Sequence, residues 1–245
     1  MTPPPSISVI IPTLQEERAL TRTLEQFGDA LREQFRLEIV GSDGGSTDAT
    51  LAIAGPRARV VSADVAGLRE NISTGRNRGA RAARGELFFF LNADVVIEDP
   101  ERFFTLMTRA VSREGISAAT CNVNIYPEEA SRTDWAFHNF FNGYFWLLNL
   151  LGMAMGRGEC HVMRRAMFEA AGGYDESIAA GEDYEFFLRL RKHGRIAFVR
   201  SLTVFESPRR FRKYGYLRIS LVWFLNALSV FLFRRSLSDE WKPIR

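Results

Sequence analysis

The chain alternates short apolar runs with segments of helical spacing. Ile7–Ile11 (ISVII) is almost wholly apolar and β-branched, the pattern of a strand buried on both faces of a parallel sheet. Pro12 ends it. From Glu16 to Phe35, Leu20, Leu24, Phe27, Leu31 and Phe35 fall on one helical face, which predicts an amphipathic helix. Leu37–Val40 predicts a second strand running into Gly41-Ser42-Asp43-Gly44-Gly45. Ser46 or Thr47 can cap a helix over Asp48–Ala54. Arg59–Ser62 and Leu87–Leu91 (LFFFL) are further strand candidates, with helices over Asn71–Arg84 and Pro100–Arg113. Strands and helices in alternation predict an α/β domain around a mainly parallel sheet.

The second half is less regular. Ala118–Ile125, His161–Met163 and Ile196–Val199 read as strands, and Ala166–Ala171 and Asp183–His193 as helices. Trp135–Leu151 is dense in aromatics, with His138, Asn142 and Asn149 on roughly one stripe. Tyr216–Phe233 is 18 residues long with one charge, Arg218. It is close to the roughly 20 residues that span a bilayer, yet Arg218, Ser220, Asn226 and Ser229 interrupt it. Three readings stand for it: a spanning helix, an interfacial helix flanked by Arg212-Lys213 and Arg234-Arg235, or a packing or dimer helix.

Composition narrows the classes. Of 245 residues, 46% are hydrophobic and 25% charged, which excludes intrinsic disorder, a collagen-like repeat and a polytopic membrane protein. Cys121 and Cys160 are the two cysteines, too few for a disulfide scaffold or a zinc site built from thiolates. Met1–Ser6 carries no basic residue. The expectation is therefore no cleaved signal peptide and a cytosolic protein.

The formal net charge of +3 hides two opposed parts. Residues 1–188 hold 18 Lys and Arg against 26 Asp and Glu, a net of −8. Residues 189–245 hold 14 against 3, a net of +11. A basic quarter of this kind suits phosphates or an anionic lipid surface, while the acidic body disfavours nucleic acid.

The chemistry sits where strands end. Asp43 follows the second strand and Asp94 the fourth, and open parallel sheets bind ligands outside the carboxyl ends of their strands. Carboxylates beside a phosphate site act through an oxygen-preferring divalent cation such as Mg²⁺ or Mn²⁺. Each Asp can equally serve as a helix cap. Glu159 and His161 precede a strand-like run, and His161 reads better as a core histidine than as a ligand.

Five blocks then occur in order: Ile7–Glu17 (ISVIIPTLQEE), Glu38–Thr50 (EIVGSDGGSTDAT), Gly75–Gly85 (GRNRGARAARG), Phe90–Asp94 (FLNAD) and Gly172–Arg191 (GGYDESIAAGEDYEFFLRLR). Together they resemble the family 2 glycosyltransferases of GT-A fold. Glu206–Gly215 (ESPRRFRKYG) resembles a bacterial subgroup with an Arg-Arg pair after its last strand. The resemblance implies that Pro12, Thr13 and Glu16 hold base and ribose and that Asp43 reads the base, usually uracil. Gly75, Arg76 and Asn77 would lie beside the nucleotide. Asn92-Ala93-Asp94 matches the Asp-x-Asp signature, with Asp94 on the metal. In the Glu182-Asp183 pair, Asp183 matches the general base. Asn92 departs from the usual Asp, bringing a hydrogen-bond acceptor without charge. Gln15 stands where Asn is common.

The implied architecture is a catalytic domain over 1–210 with a basic and apolar helical extension over 211–245. The implied activity is inverting, metal-dependent transfer of a hexose-type sugar from a UDP-linked donor to a hydroxyl acceptor, with a lipid-linked acceptor and a homodimer as candidates. Arg209–Lys213 has three readings: a solvated face, closure of Arg209 and Arg210 over the diphosphate, or contact with anionic lipid at the inner membrane face. The rivals are a nucleotidyltransferase, whose glycine-rich basic loop after the first strand is absent, and a non-catalytic membrane or nucleotide-binding module. An NAD-type oxidoreductase is disfavoured because no G-x-G-x-x-G follows the first strand.

Overall fold

The computed structural model describes residues 6–63, 70–233 and 235–237. The leader reading of Met1–Ser6 therefore lies almost wholly outside the described residues, as do Arg234 and the end of the expected extension. The first half runs β1 (Ile7–Thr13), α1 (Leu20–Glu25), α2 (Asp29–Gln34), β2 (Leu37–Asp43), α3 (Thr50–Ala54), β3 (Arg59–Ser62), α4 (Ile72–Ala82) and β4 (Leu87–Leu91). The remainder runs β5 (Val96–Ile97), α5 (Pro100–Val111), β6 (Ile116–Ile125), α6 (Arg132–Leu150), β7 (Cys160–Arg164), α7 (Arg165–Ala170) and α8 (Glu182–Leu190), then β8 (Arg195–Glu206), α9 (Arg209–Tyr214) and α10 (Tyr216–Phe233).

The strands form one sheet in the order β3-β2-β1-β4-β7-β6-β8-β5. β1 pairs in parallel with β2 and β4, β2 with β3, and β6 with β8. Antiparallel pairing joins β7 to β4 and β6, and β5 to β8. Six described strands thus run one way, and β7 and β5 oppose them. The expected mainly parallel sheet is present, with an antiparallel strand inserted at its centre.

The double-sided burial predicted from ISVII and LFFFL follows from the pleat, which sends alternate side chains to opposite faces. Ile7, Val9, Ile11, Leu87, Phe89 and Leu91 pack on one face with Phe103, Phe104 and Met107 of α5. Ile10, Phe88 and Phe90 pack on the other with Phe168, Phe186 and Phe187. A helix crosses this second face closely. A Cβ at Gly79 of α4 would lie 2.5 Å from Ile10 Cγ2. Gly79→Ala is expected to cost about 1–3 kcal/mol through overpacking, read as a lower urea midpoint with unchanged slope. Parent-level stability would mean that α4 shifts without cost.

Two local expectations change. The helix expected through Glu16–Phe35 is two short helices, because the chain turns extended at Gly28 (φ −67°, ψ 166°) before α2 starts. Ser46 and Thr47 do not cap α3, which begins later, at Thr50. Instead Asp48 accepts from the Thr50 N–H at 3.0 Å. Ser46 turns back to Asp43, donating its hydroxyl to Oδ1 at 2.6 Å.

Candidate functional site

Parallel strands deliver their carboxyl ends to one edge of the sheet, and an antiparallel neighbour must begin at that edge. β1, β2, β4 and β8 end there, at Thr13, Asp43, Leu91 and Glu206, and β7 starts there at Cys160. The loops beyond these ends enclose a cleft of about 480 Å³, within the roughly 300–1,000 Å³ of small-molecule sites. Pro12, Thr13, Glu16, Gly75, Arg76, Asn92, Ala93, Asp94, Glu182, Asp183, Arg209 and Arg210 line it. Twelve of the predicted positions thus come from five chain segments to one wall.

Arg76 ties these segments together. Its side chain is 1% exposed and donates from Nη1 to Glu182 Oε1 at 2.8 Å. Nη2 donates to Asn92 Oδ1 at 3.2 Å and to the Gly158 carbonyl at 2.7 Å. The guanidinium also lies 5.0 Å from the Tyr174 ring centroid. One buried cation therefore joins α4, the loop after β4, the loop before β7 and the start of α8. The amide of Asn92 accepts from this cation, which accounts for Asn where a second Asp would add charge.

Asp183 sits one residue inside α8. Gly181 precedes that helix with φ +85°, a left-handed turn that costs glycine little. Burial, then the neighbouring Glu182, push the Asp183 carboxyl up to about 8, against the opposing pull of Arg76. Burial also raises Asp94, with Arg209 opposing and Glu159 reinforcing the shift. Glu206 is raised by burial and by Glu159. The cleft therefore concentrates carboxylates in a poorly solvated place, the arrangement that poises a proton acceptor near neutral pH.

Cations answer these acids. Arg209 grips Glu16 through both terminal nitrogens, at 2.8 and 2.9 Å, and reaches Asp94 Oδ2 at 3.1 Å. Arg157 is buried between Glu206 and Glu159, the latter at 3.3 Å. The solvated-face reading of Arg209 is thereby corrected: it is a clamp across the cleft mouth. Farther along α9, Arg212 pairs with the buried Asp134 of α6.

Two predicted residues stand elsewhere. Asp43 is 1% exposed. Its carboxylate accepts from Thr13 Oγ1 (3.2 Å), the Gly45 and Ser46 N–H groups (2.9 and 2.8 Å) and the Ser46 hydroxyl. Its acceptor capacity is thus used inside its own loop, while Ser42 and Gly44 face the cleft. Asn77 also turns away from the cleft. It donates to the Tyr174 carbonyl and Glu176 and accepts from the Tyr174 N–H, locking α4 to the loop before α8. His161 is a core residue, its Nδ1 2.7 Å from the Tyr174 hydroxyl.

Arg157 and Glu206 line the cleft and were not singled out from sequence. A signal for Glu206 exists: it ends an apolar strand as Asp43 and Asp94 do. Arg157 gives none, because the loop before β7 reaches the cleft only through the antiparallel insertion of that strand. Phe145, Phe211 and Trp223 add an apolar wall from α6, α9 and α10.

Whether a divalent cation suits this site depends on its donors. Oxygen ligands are what Mg²⁺ and Mn²⁺ take, and Mg²⁺ commonly rests on one or two carboxylates plus substrate phosphates. The Asp94 carboxylate, on the cleft wall beside Arg209, is one such oxygen donor. No cluster of three His, Cys, Asp or Glu with ligating geometry exists among the described residues. Phosphate and water oxygens would have to complete the shell.

Comparison with known proteins follows the same lines. The family model described as glycosyl transferase family 2 matches residues 8–172. The O-antigen biosynthesis protein RfbC of Myxococcus xanthus is 31% identical over 138 residues, 48% of this chain and 10% of that protein. The chain thus spans about a tenth of that relative's length. Among solved structures, a mannosyltransferase from Pyrobaculum calidifontis in complex with GDP-Man and Mn²⁺ aligns with TM-score 0.63 and 18% identity, over 84% of this chain and 58% of that one. Glucosyl-3-phosphoglycerate synthase from Mycobacterium tuberculosis, in complex with Mn²⁺, UDP and phosphoglyceric acid, aligns with TM-score 0.61 and 19% identity, over 94% and 78%. These likenesses give the fold, which is that of GT-A glycosyltransferases. With well over half its length matched by the family model, the chain belongs to glycosyl transferase family 2.

Proposed function

We propose that the chain transfers a hexose-type sugar from a nucleoside diphosphate donor, a UDP-sugar in first place, to a hydroxyl acceptor with inversion. One observation carries this reading: Asp183, held near neutral pKa, faces the same cleft as Asp94, Arg209 and Arg210. In this reading Asp183 is the proton acceptor, and Arg209 and Arg210 of the same cleft meet the phosphates.

Asp183 takes the proton of the incoming hydroxyl. The hydroxyl oxygen bonds to the anomeric carbon as the bond from that carbon to the diphosphate oxygen breaks. The electron pair leaves with the nucleoside diphosphate. A single displacement of this kind inverts the anomeric centre. Arg209 and Arg210 neutralise the departing diphosphate, since guanidinium groups form paired bonds with phosphate. A bound Mg²⁺ or Mn²⁺ would rest on Asp94 and supply further charge neutralisation there. Pro12, Thr13 and Gly75, which line the cleft, would hold the nucleoside, with Asp43 supporting that loop from behind. The apolar wall of Phe145, Phe211 and Trp223 suits an acceptor with an apolar portion, such as a lipid-linked one.

The test is a thermal-shift panel of UDP- and GDP-sugars with and without Mn²⁺. A ligand of the native state raises stability with the logarithm of its concentration over its Kd. A Mn²⁺-dependent shift with a UDP-sugar is expected, and Asp94→Ala should lower the affinity at least tenfold by calorimetry. Absence of any shift across the panel, or unchanged Mn²⁺-dependent affinity in Asp94→Ala, would overturn the respective part.

A further inference from the structure

Helix α10 keeps a stripe of large apolar side chains in solvent. Leu217, Leu221, Phe224, Leu225, Leu228, Phe231 and Leu232 are exposed, Leu217 by 86% and Phe231 by 71%. Their spacing follows one helical face. The opposite face is anchored: Ile219, Asn226, Ser229 and Val230 are buried, and Asn226 Oδ1 accepts from the Leu237 N–H at 3.1 Å. Alongside it, α6 exposes Trp135 (68%), Phe140 (66%), Tyr144, Leu147 and Leu150. Ring contacts run from Tyr144 and Phe140 through Phe141 to Trp223 of α10, the last at 5.7 Å. Half-buried Phe141 and Trp223 thus join the two helices beneath their exposed apolar side chains.

We infer that this α6–α10 ridge docks in the plane of an anionic lipid bilayer. The charge around it selects that occupant. Residues 211–237 hold five Lys and Arg and no Asp or Glu; Arg212 is paired with Asp134, which leaves four for an anionic surface. Lys213 at the end of α9 and Arg218 at the start of α10 are exposed and lie over the Tyr214 ring. A second copy of this chain seated here would bring cations against cations. A bilayer takes the apolar side chains below its headgroups and pairs the cations with lipid phosphates. The buried face of α10 packs on the protein body, with Val230 and the Asn226 backbone beside Gly181, and this holds the helix along the surface; crossing the bilayer would pull that face away. Half-buried Trp223 lines the cleft wall from the underside of α10, so docking of the exposed side brings the cleft near the membrane surface.

Flotation with vesicles tests this independently of the proposed transferase reaction. The full chain is expected to float with phosphatidylcholine vesicles holding about a third phosphatidylglycerol, and to bind phosphatidylcholine alone at least tenfold more weakly. Raised salt should release part of the bound protein. Phe224→Glu with Leu228→Glu, both outside the cleft, should lose at least tenfold in vesicle affinity while the UDP-sugar thermal shift stays unchanged. A parent chain that stays in solution with anionic vesicles would overturn the proposal. So would a stable dimer in sedimentation that the same double variant splits, and so would bound protein that resists alkaline carbonate extraction.

Discussion

Asp183→Asn is expected to slow UDP release from a UDP-sugar by about 10²–10⁴-fold, the usual share of general-base help. Donor affinity should change little, because the amide keeps the shape of the carboxyl. Water or a simple alkyl glycoside serves as acceptor in this assay. The parent enzyme should show kcat/KM rising with pH towards a plateau above about 8, since burial and Glu182 hold the Asp183 proton until then. The same shift makes a stability prediction. Native Asp183 keeps its proton up to about pH 8, whereas the unfolded chain releases it near about 4. The native state therefore binds more protons across that window, and stability falls as pH rises through it. Asp183→Asn removes the dependence. The variant should be the more stable protein above pH 8, by up to about 5 kcal/mol for a shift of about four units, with the gap narrowing towards pH 5. Parent-rate UDP release by this variant would sink the general-base assignment.

Arg76→Met should be more damaging to the whole protein. Removing one member of a buried ion pair strands the other, at a cost of about 3–5 kcal/mol. Here the substitution would strand Glu182 and leave Asn92 Oδ1 and the Gly158 carbonyl without their donor. It would also remove the one buried cation that holds the Asp183 pKa down, so the rising limb of the rate profile should move above pH 8. Arg76→Lys retains charge without the planar fork and should recover part of the stability but less of the rate. Urea unfolding at pH 7 and a pH–rate profile check the two halves. Unchanged stability in Arg76→Met would contradict the linking role.

β1 and β4 were legible because each is buried on both faces, and that constraint fills ISVII and LFFFL with apolar side chains at every position but Ser8. The helix over Glu16–Phe35 was overread because its apolar spacing continues through Gly28, where the backbone nevertheless turns extended. At the cleft, Asp94 and Asp183 carry local signatures, an acid after a strand and an acid pair opening a helix. Arg157 carries none. Its position depends on β7 running against its neighbours, a pairing set by contacts between residues far apart in the chain. Asp43 and Asn77 have the residue types expected of ligand contacts, but their polar atoms are taken up by backbone groups a sequence cannot place.

By itself the sequence determined the strand and helix alternation, the sheet edge that gathers the acids, and the split between acidic body and basic end, because periodicity and charge are properties of neighbours along the chain. Only the tertiary structure decided which acids lack water, which cation answers each of them, and which face of α10 stays bare. Those depend on desolvation and on distances of a few ångströms between remote segments, and both exist only once the sheet has closed and the helices have packed against it.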